Sequence, residues 1–202
     1  MDRKHFDKIV SVIDKPDIMV DVGVATNNTE AWWMKEKWED VPIIGYEPCG
    51  SRYETISNYP GMLNRAAVTD SHGTFRGFMN TYDFKVAAEE DKKDPYYSTS
   101  VDSTTLDHIN NLYGSFYKMF VWADIEGGEL RMLRGATELL SNKRIVALNL
   151  ELWPNPPVPE WPSPEDIVDY LEKFDYYPAF GESGSYEDWS RESQEDFVFL
   201  PR

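Results

Sequence analysis

Acidic residues follow several short apolar runs of this chain, at positions where a carboxylate can bind or activate a small molecule. Asp21 lies near the end of the run Ile18–Val22, and Gly23 follows that run directly. Glu47 ends the next run along the chain. The two oxygens of a carboxylate suit the vicinal diol of a ribose. A glycine lets the backbone pass close to a ligand. These residues indicate a site for a cofactor that contains a ribose.

Three further acids, Asp124, Glu126 and Glu151, follow two later apolar runs. A carboxylate beside a reacting hydroxyl can serve as a general base. We predict Asp124 as the first catalytic residue and Glu126, one strand step beyond it, as the second. The three acids also suit Mg²⁺ or Ca²⁺. However, Glu126 alternatively caps a helix and Glu151 alternatively pairs with a cation, so no metal is assigned.

Strand-like and helix-like segments alternate along the chain, which is typical of an α/β fold with a parallel sheet and helices on both faces. Strands are predicted at 18–22, 43–47, 62–68, 74–79, 119–125, 145–151, 176–180 and 197–200. Helices are predicted at 5–14, 27–38, 51–57, 105–113 and 129–140. Asn27 is the predicted cap of the second of these, and a further helix is predicted to begin at Pro164 after the cap Ser163. Because ligands of such sheets bind beyond the carboxyl ends of the strands, the acids are expected to lie together.

Two segments are predicted to be loops on the acceptor side of the site. Residues 80–103 are polar, charged and aromatic without clear periodicity, which indicates a long loop or a partly helical insertion. Residues 153–164 contain six prolines and are not compatible with a regular helix or sheet. The length of 202 residues fits one domain. We therefore expect residues 1–202 to form a single domain.

The composition is strongly acidic, with 20 Lys and Arg against 36 Asp and Glu and a net charge of −16. Such a chain repels phosphate backbones, so nucleic acid is not the expected partner. No segment has the ~18 consecutive apolar residues of a membrane span. The N-terminus lacks the apolar run of a secretory signal, and the single cysteine, Cys49, allows no intrachain disulfide. These features predict a cytoplasmic protein without membrane contact.

The turn after the first strand distinguishes two classes of cofactor. Nicotinamide enzymes use G-x-G-x-x-G, in which a helix N-terminus receives the pyrophosphate. Here the turn reads Gly23-Val24-Ala25-Thr26-Asn27-Asn28 and contains one glycine. This turn disfavours a nicotinamide-dependent oxidoreductase and favours S-adenosyl-L-methionine (SAM), which carries no phosphate.

Several motifs taken together resemble the FkbM family of SAM-dependent methyltransferases across most of residues 17–151. The most specific is Asp124-Ile125-Glu126-Gly127-Gly128-Glu129, which continues into Leu133-Arg134-Gly135-Ala136. The other matching segments are 20–23, 45–48, 64–68, 104–107 and 150–151. The resemblance implies a Rossmann-like class I methyltransferase fold, with a mostly parallel seven-stranded sheet whose last strand is antiparallel. It also implies SAM as methyl donor and a hydroxyl of a small molecule or glycan as acceptor.

The resemblance also implies where SAM binds: its amino-acid portion near Asp21 and Gly23, its ribose on Glu47, and its adenine near 64–67. The predicted cofactor-binding residues are Asp21, Gly23, Asn27, Glu47, Pro48, Ala67 and Asp124. One departure concerns the turn, where the family usually has a second glycine and this chain has Thr26-Asn27-Asn28. Asparagine tolerates the left-handed backbone better than most residues. The favoured function is therefore an O-methyltransferase. Because of this departure, the alternative is a non-catalytic protein that senses a ligand or binds a partner.

Overall fold

The computed structural model describes residues 3–24, 26, 28–79, 84–85, 98–114, 118–157 and 159–202. Its helices are α1 (Arg3–Val12), α2 (Thr29–Lys37), α3 (Gly50–Thr55), α4 (Leu106–Tyr113), α5 (Glu129–Arg134), α6 (Thr137–Ser141) and α7 (Pro164–Glu172). Its strands are β1 (Ile18–Val22), β2 (Ile43–Tyr46), β3 (Met62–Asn64), β4 (Ala67–Val68), β5 (Gly73–Met79), β6 (Phe84–Lys85), β7 (Ser98–Thr104), β8 (Met119–Ala123), β9 (Ile145–Leu152), β10 (Tyr176–Gly181) and β11 (Glu195–Pro201). Within these ranges, every helix falls short of the length and apolarity that a membrane crossing requires.

Seven strands form one sheet in the order β10-β11-β9-β8-β1-β2-β3. Strand β1 pairs in parallel with β2 and β8, and the β2–β3 and β8–β9 pairs are parallel as well. Strand β11 runs antiparallel to both of its neighbours, β9 and β10. This topology confirms the expected α/β class and the mostly parallel seven-stranded sheet with its last strand antiparallel.

Apolar side chains cover both faces of this sheet because they alternate along each strand. Val20 and Val22 of β1 pack on one face with residues of α4, α5, α6 and α7. Met19 packs on the other face with residues of α1 and α2. Burial on both faces explains why the strands appear in the sequence as continuous apolar runs.

A second sheet contains four strands in the order β4-β7-β5-β6. Strand β7 pairs antiparallel with β5 and parallel with β4, and β6 pairs antiparallel with β5. The prediction of a loop or helical insertion over 80–103 was therefore wrong for β6 and β7. Their backbone hydrogen bonds come from pairing with β5, which a polar sequence does not reveal. The rest of that segment lies outside the described residues.

The predicted strand 62–68 is two strands that belong to different sheets. Strand β3 pairs with β2 in the main sheet, whereas β4 pairs with β7 in the second sheet. The chain leaves the main sheet between them, at Arg65 and Ala66. Hydrophobic periodicity could not show this change of partner, because both halves satisfy the same local pattern.

The predicted helix 129–140 is likewise two helices, α5 and α6, which meet at Gly135. The side chain of Asp107 accepts hydrogen bonds from the backbone N–H groups of Glu138 and Leu139, each at 3.0 Å. The backbone N–H of Asp107 in turn donates to the carbonyl of Gly135 at 2.9 Å. A distant acid therefore caps α6 and stabilises the break.

Two helix starts were predicted from capping residues, with different outcomes. Ser163 caps α7 in a full capping box with Asp166, and Pro164 begins the helix, as expected. Helix α2 was expected to be capped by Asn27, but it begins at Thr29 with Asn28 at the cap position and no side-chain cap bond. Asn27 itself lies outside the described residues.

Candidate functional site

A pocket with about 600 Å³ of empty space opens at the carboxyl ends of strands β1, β2, β4 and β8. Its walls include six residues that were predicted from the sequence: Gly23, Glu47, Pro48, Ala67, Asp124 and Glu126. Apolar side chains of Ile125 and of Phe75 in the second sheet also line the pocket. The fold therefore brings together residues that are far apart in the chain, at the edge where an α/β sheet binds its ligands.

Gly23 allows the ends of three strands to approach one another. A β-carbon at this position would lie 1.9 Å from the carbonyl oxygen of Asp124, and φ of Gly23 is +85°. The N–H of Gly23 donates to the carbonyl of Tyr46 at 2.9 Å, and the N–H of Asp124 donates to that of Val22 at 3.0 Å. Any larger residue would separate β1 from β8 and distort the pocket.

Glu47 is fixed at the wall of the pocket by its own turn. Its side chain is 2% exposed, and Oε1 accepts a hydrogen bond from the N–H of Cys49 at 2.7 Å. The N–H of Glu47 donates to the carbonyl of Asn64 at 3.0 Å, which joins the ends of β2 and β3. The carboxylate is therefore held in one orientation, with Pro48 and Ala67 beside it in the same pocket.

Asp21 does not line the pocket, although it lies between Val20 and Val22 in β1. Its side chain is 4% exposed, and Oδ2 accepts a hydrogen bond from the hydroxyl of Tyr59 at 2.9 Å. Burial raises the pKa of Asp21 to about 7, the Tyr59 hydrogen bond opposes that rise, and the charges of Glu30 and Glu47 add to it. Sequence reasoning missed Tyr59, because nothing in its local sequence marks it as the partner of a strand acid.

Asp124 lies immediately after β8, where solvent reaches its side chain within the cleft. Protein atoms nevertheless surround the carboxyl group on several sides. This partial desolvation, together with the charges of Glu151 and Glu126, raises the pKa of Asp124 to about 8. The predicted strand 119–125 ends at Ala123, and Glu126 and Gly127 follow with left-handed φ values of 51° and 87°. The prediction that Glu126 lies one strand step beyond Asp124 was therefore wrong. The loop after β8 thus presents two acids on a sharply turned backbone.

Glu129 is a second residue whose role sequence reasoning missed. It was noted only as the last position of a motif, but its side chain is 2% exposed and accepts a hydrogen bond from the N–H of Ile125 at 3.3 Å. Burial raises the pKa of Glu129 to about 8, and its backbone hydrogen bonds act in the opposite direction. Glu129 therefore holds the backbone between Asp124 and Glu126.

Two further acids lie on the neighbouring strands. Glu151 accepts a hydrogen bond from Nε1 of Trp153 at 2.8 Å, and desolvation raises its pKa against that bond. Asp196 of β11 lies opposite Glu151 in register and accepts a hydrogen bond from Nδ2 of Asn149 at 3.0 Å. Among the described residues, no three His, Cys, Asp or Glu side chains are grouped so that they could hold a metal ion.

Comparison with known proteins agrees with this architecture. The sequence model of the family described as methyltransferase FkbM domain matches residues 19–178. The chain is similar to the structure of methyltransferase FkbM from Methylobacillus flagellatus KT, with 15% identity and a TM-score of 0.58 over 94% of this chain. The chain spans 45% of the length of that protein. A search of curated proteins gives no significant match.

A more distant likeness is to the M1A22 tRNA methyltransferase TrmK of B. subtilis, with 12% identity and a TM-score of 0.45. It covers 98% of this chain and 66% of that one, and at this TM-score it carries no argument about function. The FkbM structure supports the fold, and the family match extends over most of the chain and includes the ends of β1, β2 and β8. The chain belongs to the methyltransferase FkbM domain family.

Proposed function

We propose that this protein is a SAM-dependent O-methyltransferase that acts on a hydroxyl of a small molecule or glycan. The observation that carries the proposal is that Gly23, Glu47 and Asp124 line one pocket at the ends of three neighbouring strands. Membership of a methyltransferase family supports methyl transfer as the reaction class.

The residues of the pocket fit the chemistry of SAM. The Glu47 carboxylate, fixed by the N–H of Cys49, suits the two hydroxyls of a ribose. Pro48, Ala67 and Ile125 provide apolar surface for a flat base. When bound, SAM supplies an activated methyl group.

Asp124 is proposed as the residue that orients the acceptor hydroxyl and accepts its proton. In an in-line displacement the acceptor oxygen forms a bond to the methyl carbon while the sulfur–carbon bond breaks, and the hydroxyl proton needs a base. The pKa of the Asp124 carboxyl group, about 8, is close to the pH at which a general base works best. Glu126, on the same loop, is proposed as a second group that orients the acceptor.

The second candidate is a non-catalytic protein that uses this fold to sense a ligand or bind a partner. The observation in its favour is the turn after β1, which lacks the second glycine usual in the family. Asn28 nevertheless has left-handed backbone angles, φ 37° and ψ 37°, which a second glycine would otherwise supply. We therefore rank cofactor binding and catalysis first. The net charge of −16 also favours a small acceptor over a nucleic acid.

Calorimetric titration with SAM, S-adenosylhomocysteine and NAD⁺ tests the proposal directly. The wild-type protein is expected to bind SAM and S-adenosylhomocysteine but not NAD⁺. The substitution Glu47→Gln is expected to weaken the binding of SAM and of S-adenosylhomocysteine by about tenfold or more, because the ribose loses a hydrogen bond to a charged, buried carboxylate. Glu36→Gln serves as the control, since Glu36 is an exposed partner of Arg3.

Two outcomes would count against the proposal. A well-folded protein that binds neither SAM nor S-adenosylhomocysteine would exclude SAM dependence. Binding of SAM without any formation of S-adenosylhomocysteine, across a panel of sugars and other hydroxylated compounds, would favour the non-catalytic candidate.

A further inference from the structure

Asp124 and Glu151 lie beside each other at the ends of the neighbouring strands β8 and β9. Trp122 and Asn149 pair in the parallel register of these strands, and the two acids each follow two residues later. Because side chains alternate along a strand, both carboxyl groups extend from the same face of the sheet. The N–H of Asp124 donates to the carbonyl of Val22 at 3.0 Å, so sheet pairing continues to this residue. Asp124, which lines the pocket, therefore has a second carboxyl group next to it.

Glu151 is fixed by hydrogen bonds, whereas Asp124 is not. Nε1 of Trp153 donates to Oε2 of Glu151 at 2.8 Å, and the side chain of Gln194 donates a second hydrogen bond to the same carboxylate. The ring of Trp153 packs edge to face against that of Trp161, with 5.7 Å between the ring centroids, so the donor is itself held in place. Among the residues that the structure describes, none donates a hydrogen bond to the Asp124 carboxyl group.

The two neighbouring carboxyl groups are therefore not equivalent. Hydrogen bonds to a carboxylate favour its charged form, and two like charges side by side disfavour each other. Glu151, with its two donors, is the group that keeps the negative charge, and Asp124 is the group that keeps its proton to higher pH. Burial raises the pKa of Asp124 to about 8, and the charge of Glu151 is the largest electrostatic contribution to that rise.

The other charged groups that act most strongly on this pair are also acids. They lie on the loop after β8, on α5, after β10 and on β11, and they are Glu126, Glu129, Glu182 and Asp196. Asp196 accepts a hydrogen bond from Asn149, whose Oδ1 pairs with Nε2 of His5 on α1 at 2.9 Å. Burial lowers the pKa of His5, which favours a neutral ring. Of these groups and Glu151, Glu151 has the strongest effect on Asp124.

We propose that Glu151, held by the indole of Trp153, is a positioning residue of the proposed active site, whose negative charge makes Asp124 a stronger base for the proton of the acceptor hydroxyl. This inference rests on the proposed function, because it requires methyl transfer from SAM. In that step the acceptor oxygen bonds to the methyl carbon, the electrons of the sulfur–carbon bond return to sulfur, and the hydroxyl proton moves to Asp124. Glu151 acts through Asp124 and does not touch the reacting atoms.

The titration of Asp124 tests the inference without cofactor or acceptor. NMR of protein with ¹³C-labelled aspartate carboxyl carbons follows it, and Asp124→Asn identifies the signal. The wild-type midpoint is expected near pH 8. Glu151→Gln keeps an oxygen for the indole of Trp153 but carries no charge, so the midpoint is expected to fall by about one pH unit. Glu151→Asp keeps the charge and should stay closer to the wild type, and Glu36→Gln is the control, since Glu36 is an exposed partner of Arg3.

A second variant, Trp153→Phe, keeps an aromatic ring but removes the hydrogen bond to Glu151. The charge of Glu151 is then less favoured, so the proton is shared between the two carboxyl groups. Asp124 is therefore expected to titrate with a lower midpoint and over a broader pH range than in the wild type. Trp189→Phe is the matched control, because Trp189 packs against Phe197 on the opposite face of the sheet.

The rate of methyl transfer gives an independent readout. Glu151→Gln is expected to be about threefold slower than the wild type at pH 9, where Asp124 is largely ionised in both proteins and the variant has the weaker base. At pH 6.5 the variant is expected to be about twofold faster, because a larger fraction of its Asp124 is ionised. A merely structural role of Glu151 would instead slow the variant at every pH.

An unchanged midpoint of Asp124 in Glu151→Gln would overturn the inference and leave the proposed function intact. A lower rate of Glu151→Gln at every pH would overturn it as well, since Glu151 would then have only a structural role. A wild-type protein that binds neither SAM nor S-adenosylhomocysteine would refute the proposed function, and the catalytic role of the pair with it, whatever the titration of Asp124 shows.

Discussion

The indole ring of Trp161 lies directly against Gly127, so closely that a β-carbon at Gly127 would come within 2.3 Å of the ring carbon Cδ2. Trp161 is buried and belongs to the proline-rich segment 153–164, and its ring meets that of Trp153 edge to face at 5.7 Å. Gly127 belongs to the loop that carries Asp124 and Glu126. The proline-rich segment therefore packs against the proposed catalytic loop and limits its movement.

Gly127→Ala is expected to destabilise the protein by about 3 kcal/mol. The substitution combines a left-handed backbone, φ +87°, with a collision against Trp161. Gly73→Ala is the control, because Gly73 also has a positive φ, +132°, but a β-carbon there would meet nothing within 4 Å. Urea unfolding should show a clearly smaller loss for Gly73→Ala. Similar losses for the two variants would mean that the contact with Trp161 is not tight in solution.

Asp107→Ala is expected to lower the free energy of unfolding by about 1–2 kcal/mol, because two N–H groups at the start of α6 lose their acceptor. Asp107→Asn keeps one side-chain oxygen and should lose less. Denaturant unfolding provides the measurement, with Asp169→Ala on the exposed side of α7 as a control. A loss for Asp169→Ala as large as that for Asp107→Ala would argue against a specific capping role.

The protein is expected to be more stable in mild acid than in mild alkali. Burial raises the pKa values of Asp21 and Asp196 to about 7 and of Glu129 to about 8. A carboxyl group whose pKa is raised by folding binds more protons in the folded state, so its stabilising contribution is complete below about pH 4 and is lost by about pH 8. Urea unfolding should give a higher free energy of unfolding at pH 5.5 than at pH 8.5, by several kcal/mol.

Glu129→Gln measures how much of this pH dependence of stability is due to the Glu129 carboxyl group. Glutamine keeps an oxygen that can accept the hydrogen bond from Ile125 but cannot ionise. The variant is therefore expected to lose less stability than the wild type between pH 5.5 and 8.5. An unchanged dependence on pH would show that Glu129 ionises near its ordinary pKa.

Asp124→Asn is expected to reduce the rate of methyl transfer by about 100-fold or more, the usual contribution of a general base. In the wild type the rate should rise with pH through about 8, as the Asp124 carboxyl group loses its proton. Formation of S-adenosylhomocysteine with an accepted hydroxyl compound measures both effects between pH 6 and 9. A flat pH profile in the wild type, or full activity in Asp124→Asn, would remove Asp124 from the proposed role.

The central strands and the acids at their ends were predicted from the sequence. A strand buried on both faces must be a short apolar run, so β1, β2, β8 and β9 stand out from their surroundings and their ends can be located to within about two residues. The helix start at Ser163 was equally visible, because a capping box is a local pattern. The acids Glu47 and Asp124 were accordingly placed at the correct edge of the sheet.

Other features depend on partners that are distant in the chain, and a local pattern does not contain them. The strand at Ser98–Thr104 forms because β5 pairs with it, and the helix predicted over 129–140 breaks where Asp107 caps its second half.

The sequence by itself determined where the central strands lie and that acids follow them, because the need to bury a parallel sheet on both faces requires short apolar runs. Only the tertiary structure decided that Asp21 meets Tyr59 beside Gly45, and that Glu129 supports the loop of Asp124. It also decided that burial and neighbouring acids raise the pKa values of these carboxyl groups, because desolvation and charge interactions depend on distances in space rather than on positions in the chain.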